Sequence, residues 1–166
     1  MTLEKTKKEL KEIGFQGFVS LGSLFKDSSK LPKEKGVYII LYPSTASPKF
    51  RTVGSGGYFK GKNPNVTLQE LQSNWVEDTA IIYIGKAGSE SGSATLQSRL
   101  KQYFNFGQGK PVEHWGGRLI WQLQMAEDLL VCWKTTPEHE PATVESNLIE
   151  KFKAFYNKRP FANLRD

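Results

Sequence analysis

Two short apolar stretches decide the fold of this chain: GVYII at residues 36–40 and IYIGKA at residues 82–87. Both are rich in β-branched residues, and each carries a tyrosine near a glycine, a composition typical of strands. Pro43 stops the first stretch because proline cannot donate to a strand ladder. We therefore predict strands over residues 36–42 and 80–85.

The remaining segments predict a mixed chain. Polar and apolar residues alternate over 118–124, and 129–135 is a further apolar run, so two more strands are expected there. Helices are predicted over 3–13, 67–74, about 94–105, and from a start between Pro137 and Pro141 to Pro160. The apolar faces expected for the last two helices are Leu96, Leu100 and Phe104, and Val144, Leu148, Phe152 and Phe155. The predicted class is α/β of the α+β type, a small, mainly antiparallel sheet flanked by helices.

The length of 166 residues suits one structural domain with a core of its own. Residues 1–35 form an N-terminal helix and lead-in, and residues 36–166 form the main body. Within that body, residues 43–79 form a proline- and glycine-rich insertion between the two key strands. A connection of this length is usually functional or peripheral.

Composition limits the classes of function. Lys and Arg outnumber Asp and Glu by 23 to 17, so the net charge of +6 permits contacts with nucleic-acid phosphates. Cys132 is the only cysteine and lies in an apolar run, which excludes an intrachain disulfide and favours a buried thiol. The charged N-terminus has no signal-peptide pattern, and no run is long and apolar enough to span a membrane, so we expect a cytoplasmic protein.

Three apparent motifs carry little chemistry. The stretch 56–62 has the glycine and lysine spacing of a phosphate-binding loop, but Asn63-Pro64 follows where a hydroxyl and a helix are needed. It is better interpreted as a turn that brings lysines to a phosphate backbone. His114 and His139 have no partners at metal-ligand spacing, so both are expected to be solvated.

The residues that could hydrolyse a phosphodiester lie on the two key strands and on the helix that comes after the second strand. Tyr38 and Tyr83 are expected to present hydroxyls in one groove, and Lys86 comes three residues after the second tyrosine. Arg99 and Tyr103 are four residues apart on a predicted helix and so share a flank. Arginine supplies a permanent planar charge for phosphate oxygens.

These residues, in this order, resemble the GIY-YIG nuclease superfamily. The two strand motifs match at Tyr38 and at Tyr83, Gly85 and Lys86. The helix positions match at Arg99, Tyr103 and Glu145, and the late asparagine at Asn163. The resemblance spans residues 36–163. The chain departs from the family in the long gap between the tyrosines, and the segment 110–123 has no family role that we can assign.

The resemblance implies a metal-dependent endonuclease that acts on DNA by a one-metal mechanism. Glu145 would hold Mg²⁺, with Mn²⁺ as a substitute. Arg99 would stabilise the transition state, and Asn163 would support the site through hydrogen bonds. Tyr38 would activate or orient the attacking water, and as a base it would need a lowered pKa because a free phenol titrates near ~10.

Tyr83 and Tyr103 would assist proton transfer or orient the phosphate, and Lys86 would tune the hydroxyls. DNA backbone contacts are expected from Arg118 and from six further basic residues: Lys49, Arg51, Lys60, Lys62, Lys101 and Lys110. A homodimer would suit a double-strand cut, since one active site cuts one strand at a time.

Two other functions stay open. A non-catalytic nucleic-acid-binding module of the same fold would bind DNA in a salt-sensitive way without cutting it. A protein-interaction or regulatory domain would use the tryptophans Trp75, Trp115 and Trp121 as a partner surface.

Overall fold

The computed structural model describes residues 2–112 and 114–164. Its centre is a four-stranded antiparallel sheet in the order β1-β4-β2-β3. The strands are β1 (Gln16–Ser20), β2 (Gly36–Leu41), β3 (Ile81–Ala87) and β4 (Leu130–Thr135). The predicted class, a small antiparallel sheet with helices around it, is confirmed. Both tyrosine motifs lie on strands, β2 inside the sheet and β3 at its edge.

Within the described residues, five α-helices surround this sheet: α1 (Leu3–Glu12), α2 (Leu21–Lys26), α3 (Leu68–Asn74), α4 (Leu96–Gly107) and α5 (Pro141–Tyr156). Local chemistry sets several of their ends. Thr67 caps α3, and Thr95 and Ser98 form a reciprocal capping box at the start of α4. Pro141 occupies the first turn of α5, where its missing N–H costs nothing.

The sheet separates two cores. Tyr38 and Ile40 of β2 face a core built with α2, α3, α4 and residues 118–123, which we call the tyrosine face. The alternate residues of β2 face a second core with α1 and α5, the opposite face. This division follows from the two-residue period of a strand. Because β2 is buried on both faces, its sequence is a continuous apolar run.

The predicted strand over 118–124 is wrong. Residues Arg118–Gln122 form a 3₁₀ helix, and Leu123 makes only an isolated bridge with Phe50. The alternation of polar and apolar residues was a misleading signal here. Residues 119–123 are all buried, so the segment has no polar face that a strand could expose to solvent. Gln122 is buried with its amide bonded to the backbone of Arg51 and Val66, which ties the 43–79 insertion to this segment.

Two further differences concern the ends of the chain. The lead-in contains β1 and α2, which the sequence did not predict; β1 is irregular, with positive φ at Gly17 and Phe18 and a register shift there. On α5 the predicted apolar face is wrong at Phe155, which is 73% exposed, whereas Ile149 is buried instead. Among the described residues, no helix combines the length and apolar character that a membrane crossing requires.

Candidate active site

Three tyrosines converge on the tyrosine face. In the β2–β3 ladder Tyr38 pairs with Gly85 and Ile40 pairs with Tyr83, so both phenols extend to the same side of the sheet. Their ring centroids are 6.0 Å apart. Tyr103 of α4 stacks on Tyr83 with centroids 5.9 Å apart. The structure therefore brings together all three tyrosines of the predicted site.

Gly85 makes room for this arrangement. A Cβ atom at position 85 would lie 2.4 Å from Cζ and 2.6 Å from Oη of Tyr38, closer than packed atoms approach. The Tyr38 ring therefore lies across the backbone of β3 at its paired residue. The glycine of the second motif is explained by this contact and not by an unusual backbone angle.

His114 joins the cluster, and here the sequence prediction was wrong. The residue was expected to be solvated, but it is 1% exposed. Its Nε2 lies 3.2 Å from the hydroxyl of Tyr38, and its ring lies 4.1 Å from that of Tyr103. Burial, with the nearby charge of Arg99, lowers the pKa of His114 to about 3, so the ring is neutral at physiological pH. A lone histidine in a glycine-rich loop gave no signal of this contact.

The expectation that the hydroxyls of Tyr38 and Tyr83 lie in an open groove is wrong for Tyr38. Tyr38 is 1% exposed and Tyr103 is fully buried, while Tyr83 retains 7%. Tyr103 donates to the carbonyl of Gly117 at 2.6 Å, so the segment with His114 and Gly117 covers the phenols. Tyr83 is consequently the phenol nearest to solvent.

To act as a base, Tyr38 would need a lowered pKa, and its burial has the opposite effect. Desolvation raises the pKa of Tyr38 and of Tyr103 well above 10, and raises that of Tyr83 to about 12. A protonated phenol can donate a hydrogen bond or orient a water molecule. Tyr38 as a general base that titrates on its own is therefore wrong for this structure.

Two opposite charges act on the phenol pair. Arg99 lies on α4, is half-buried, and donates from Nη1 to Oε1 of Gln102 at 3.0 Å. Glu145 lies near the start of α5 and is half-buried. The charge of Glu145 raises the pKa of Tyr38 and of Tyr83, and the charge of Arg99 lowers both. Both ions are thus close enough to the same two hydroxyls to shift their ionisation.

The donor chemistry at Glu145 fits a hard divalent ion. A carboxylate oxygen is a preferred Mg²⁺ ligand, and Mg²⁺ takes most of its other ligands from water and substrate phosphates. Within 2–112 and 114–164 no group of three or more His, Cys, Asp or Glu side chains could hold a metal ion. The hypothesis that Glu145 holds a metal ion stays a prediction.

Lys86 and Asn163 lie apart from the phenol hydroxyls. Lys86 is exposed, and strand alternation turns it to the side opposite Tyr83. Asn163 is nearly buried, and its amide accepts from the backbone N–H of Ile84 and donates to its carbonyl, both at 2.9 Å. At the free edge of β3, its side-chain amide therefore makes the two hydrogen bonds that a neighbouring strand would otherwise make with Ile84.

The residues expected to contact DNA lie mostly at the surface. Lys49, Arg51, Lys60, Lys62, Lys101 and Lys110 are exposed. Arg118 is half-buried, with its guanidinium 4.6 Å from the Trp115 ring centroid. The tryptophan surface expected of an interaction domain does not form: Trp121 is 2% exposed, and Trp75 and Trp115 pack against the tyrosine-face core.

Comparison with protein-family models, with curated proteins and with solved structures found no match to this chain. The candidate site therefore stands on its own geometry.

Proposed function

We propose that this protein is a metal-dependent endonuclease that hydrolyses phosphodiester bonds in DNA, as a member of the GIY-YIG nucleases. One observation supports the proposal: Tyr38, Tyr83 and Tyr103 gather on one face of the sheet. The charges of Arg99 and Glu145 shift the pKa values of Tyr38 and Tyr83 in opposite directions. Phosphodiester hydrolysis needs a cation for the developing charge, an anchored metal and positioned hydroxyl groups. We expect the guanidinium, the metal ligand and the hydroxyl groups to act together on one substrate phosphate.

Each group has a role that its surroundings permit. Arg99 binds the scissile phosphate through its guanidinium and stabilises negative charge in the transition state. Glu145 would hold a divalent ion, which when bound would supply Lewis acidity toward the phosphate. Tyr83, the least buried phenol, orients the attacking water with its hydroxyl, and Asn163 keeps its strand in place.

The surface charge supports a nucleic-acid substrate. The chain carries a net charge of +6. The exposed Lys60, Lys62, Lys101 and Lys110 add contacts to the DNA phosphate backbone, and such contacts do not depend on the base sequence. Exposed Lys86 is free to serve as a phosphate contact even though it turns away from the phenols.

A nicking assay on supercoiled plasmid tests the proposal. We expect nicking in Mg²⁺ or Mn²⁺, none in EDTA, and a fall of about two orders of magnitude for Glu145→Gln. The matched control is Glu150→Gln on the same helix, because Glu150 is exposed and its carboxylate lies 3.1 Å from Nζ of neighbouring Lys153. Equal activity of Glu145→Gln and the wild type would refute the assigned site.

A second candidate, a non-catalytic nucleic-acid-binding module, is favoured by one observation. Tyr38 and Tyr103 are sealed beneath the segment around His114 and Gly117, away from a substrate. This function predicts DNA binding that weakens steeply with salt, with no nicking in either metal. Lys101→Gln should then reduce the slope of log K against log salt by about 1, whereas Lys8→Gln on α1 should not.

A further inference from the structure

A groove runs between α1 and α5 on the opposite face of the sheet. It has a volume of about 270 Å³, and its two walls are residues spaced three or four apart along each helix. Ile39 of β2 and Ile81 and Ile84 of β3 also line it. The groove has no part in the proposed endonuclease chemistry, because Glu145 lies on α5 outside its lining.

Large apolar side chains border the groove and face solvent. Phe155 of α5 is 73% exposed, which makes it the most exposed large apolar side chain among the described residues. Ile13, just after α1, is 48% exposed. A single exposed apolar side chain is ordinary, but these two border the same apolar groove. Contiguous apolar surface of this kind is typical of a contact between proteins.

The charged residues of the groove favour a second copy of the chain as the partner. Glu9 of α1 and Lys151 of α5 line the groove from its two walls, and both are exposed. A two-fold rotation about an axis through the groove exchanges the two helices. Glu9 of each copy would then face Lys151 of the other copy, and apolar surface would meet apolar surface. A groove with one acidic wall and one basic wall is therefore complementary to itself.

We propose that this protein forms a symmetric dimer through the α1–α5 groove, with Phe155 of each copy inserted into the groove of the other. Helix α5 has 16 residues and is about 24 Å long, and two adjacent helices are about 20 Å wide. The dimer would therefore bury about 1,000 Å² in total, which is the lower limit for a specific interface. This area predicts a dimer in equilibrium with the monomer at micromolar concentrations.

Sedimentation velocity at protein concentrations from about 1 to about 200 µM tests the proposal. We expect the average mass to rise with concentration from that of one chain toward that of two. Phe155→Ser should raise the dissociation constant at least about tenfold, because a central aromatic residue carries much of the energy of an interface. Val53→Ser is the matched control: Val53 is 68% exposed but lies outside the groove lining, so dimerisation should be unchanged.

Charge reversal tests the symmetric pairing itself. Glu9→Lys alone and Lys151→Glu alone would each place like charges opposite each other, and each should weaken the dimer about tenfold. The double variant with both changes restores opposite charges and should recover the wild-type dissociation constant. All of the substituted side chains are exposed, so the variants should fold, and circular dichroism checks this.

The outcomes are independent of the nicking assay, because sedimentation uses neither DNA nor metal. A wild-type chain that stays monomeric up to about 200 µM would overturn the proposal and leave a helix of another protein as the candidate occupant of the groove. A dimer unaffected by Phe155→Ser would place the contact elsewhere and would also overturn it. A double charge variant as weak as the single variants would overturn the two-fold pairing of Glu9 with Lys151.

Discussion

Substitution of Gly85 by alanine should disrupt the phenol cluster by a predictable amount. The new methyl group would lie 2.4 Å from Cζ of Tyr38, whereas ordinary contacts begin near 3.4 Å, so ring and backbone must separate by about 1 Å. Tyr38 is 1% exposed and cannot move outward without disturbing its neighbours. Overpacking of this kind costs about 1–3 kcal/mol of unfolding free energy. For a chain of this size the melting temperature should fall by about 2–12 °C.

Urea unfolding followed by fluorescence of the four tryptophans measures this cost. Gly116→Ala is the matched control: its Cβ would lie 3.5 Å from Oη of Tyr83, an ordinary contact, and its effect should stay within about 0.5 kcal/mol. In a Tyr38→Val background the clash is absent. There, Gly85→Ala should be neutral or stabilising by up to about 1 kcal/mol, because alanine restricts the unfolded chain.

Equal destabilisation by Gly85→Ala in the wild-type and Tyr38→Val backgrounds would refute this reasoning. It would mean that the cost arises in the backbone of β3 and not in the contact with the Tyr38 ring. A loss confined to the background that retains Tyr38 would show that the glycine exists to accommodate the phenol.

Three further outcomes follow from buried polar groups. Asn163→Ala should lower the unfolding free energy by about 2–3 kcal/mol in urea titrations, because it removes the hydrogen-bond partner of both backbone groups of Ile84. A change below about 0.5 kcal/mol would contradict the role of Asn163 at the edge of β3. The His114 pKa of about 3, against 6.5 when unfolded, makes a stabilising contribution that is complete above pH 6.5 and is lost as pH falls toward 3. From pH 7 to 5 the wild type should therefore lose about 2 kcal/mol more than His114→Gln, and parallel pH profiles would count against it. Cys132 is buried with its thiol pKa raised to about 12, so it should react with a disulfide reagent at pH 8 only after unfolding; rapid reaction of the native protein would exclude this burial.

Much of the fold was predictable from local patterns. The apolar β-branched runs at β2, β3 and β4, the cap at Thr67 and the stripe of Leu96, Leu100 and Phe104 all occur as expected. Each signal lies within a few residues, because strand pleat, helix period and capping are local properties of the backbone. The strand at β1 was missed for the same reason, since its irregular backbone breaks the two-residue period.

The sequence by itself determined which residue types could carry phosphodiester chemistry, namely the phenols at 38 and 83, the guanidinium at 99 and the carboxylate at 145. Only the tertiary structure decided their ionisation and access. His114 and Tyr38 are 76 positions apart in the sequence but are in contact in the structure. Desolvation at this contact raises the pKa of the Tyr38 phenol instead of lowering it. Burial and long-range contacts depend on how distant segments pack, and no pattern of spacing within one segment reports that.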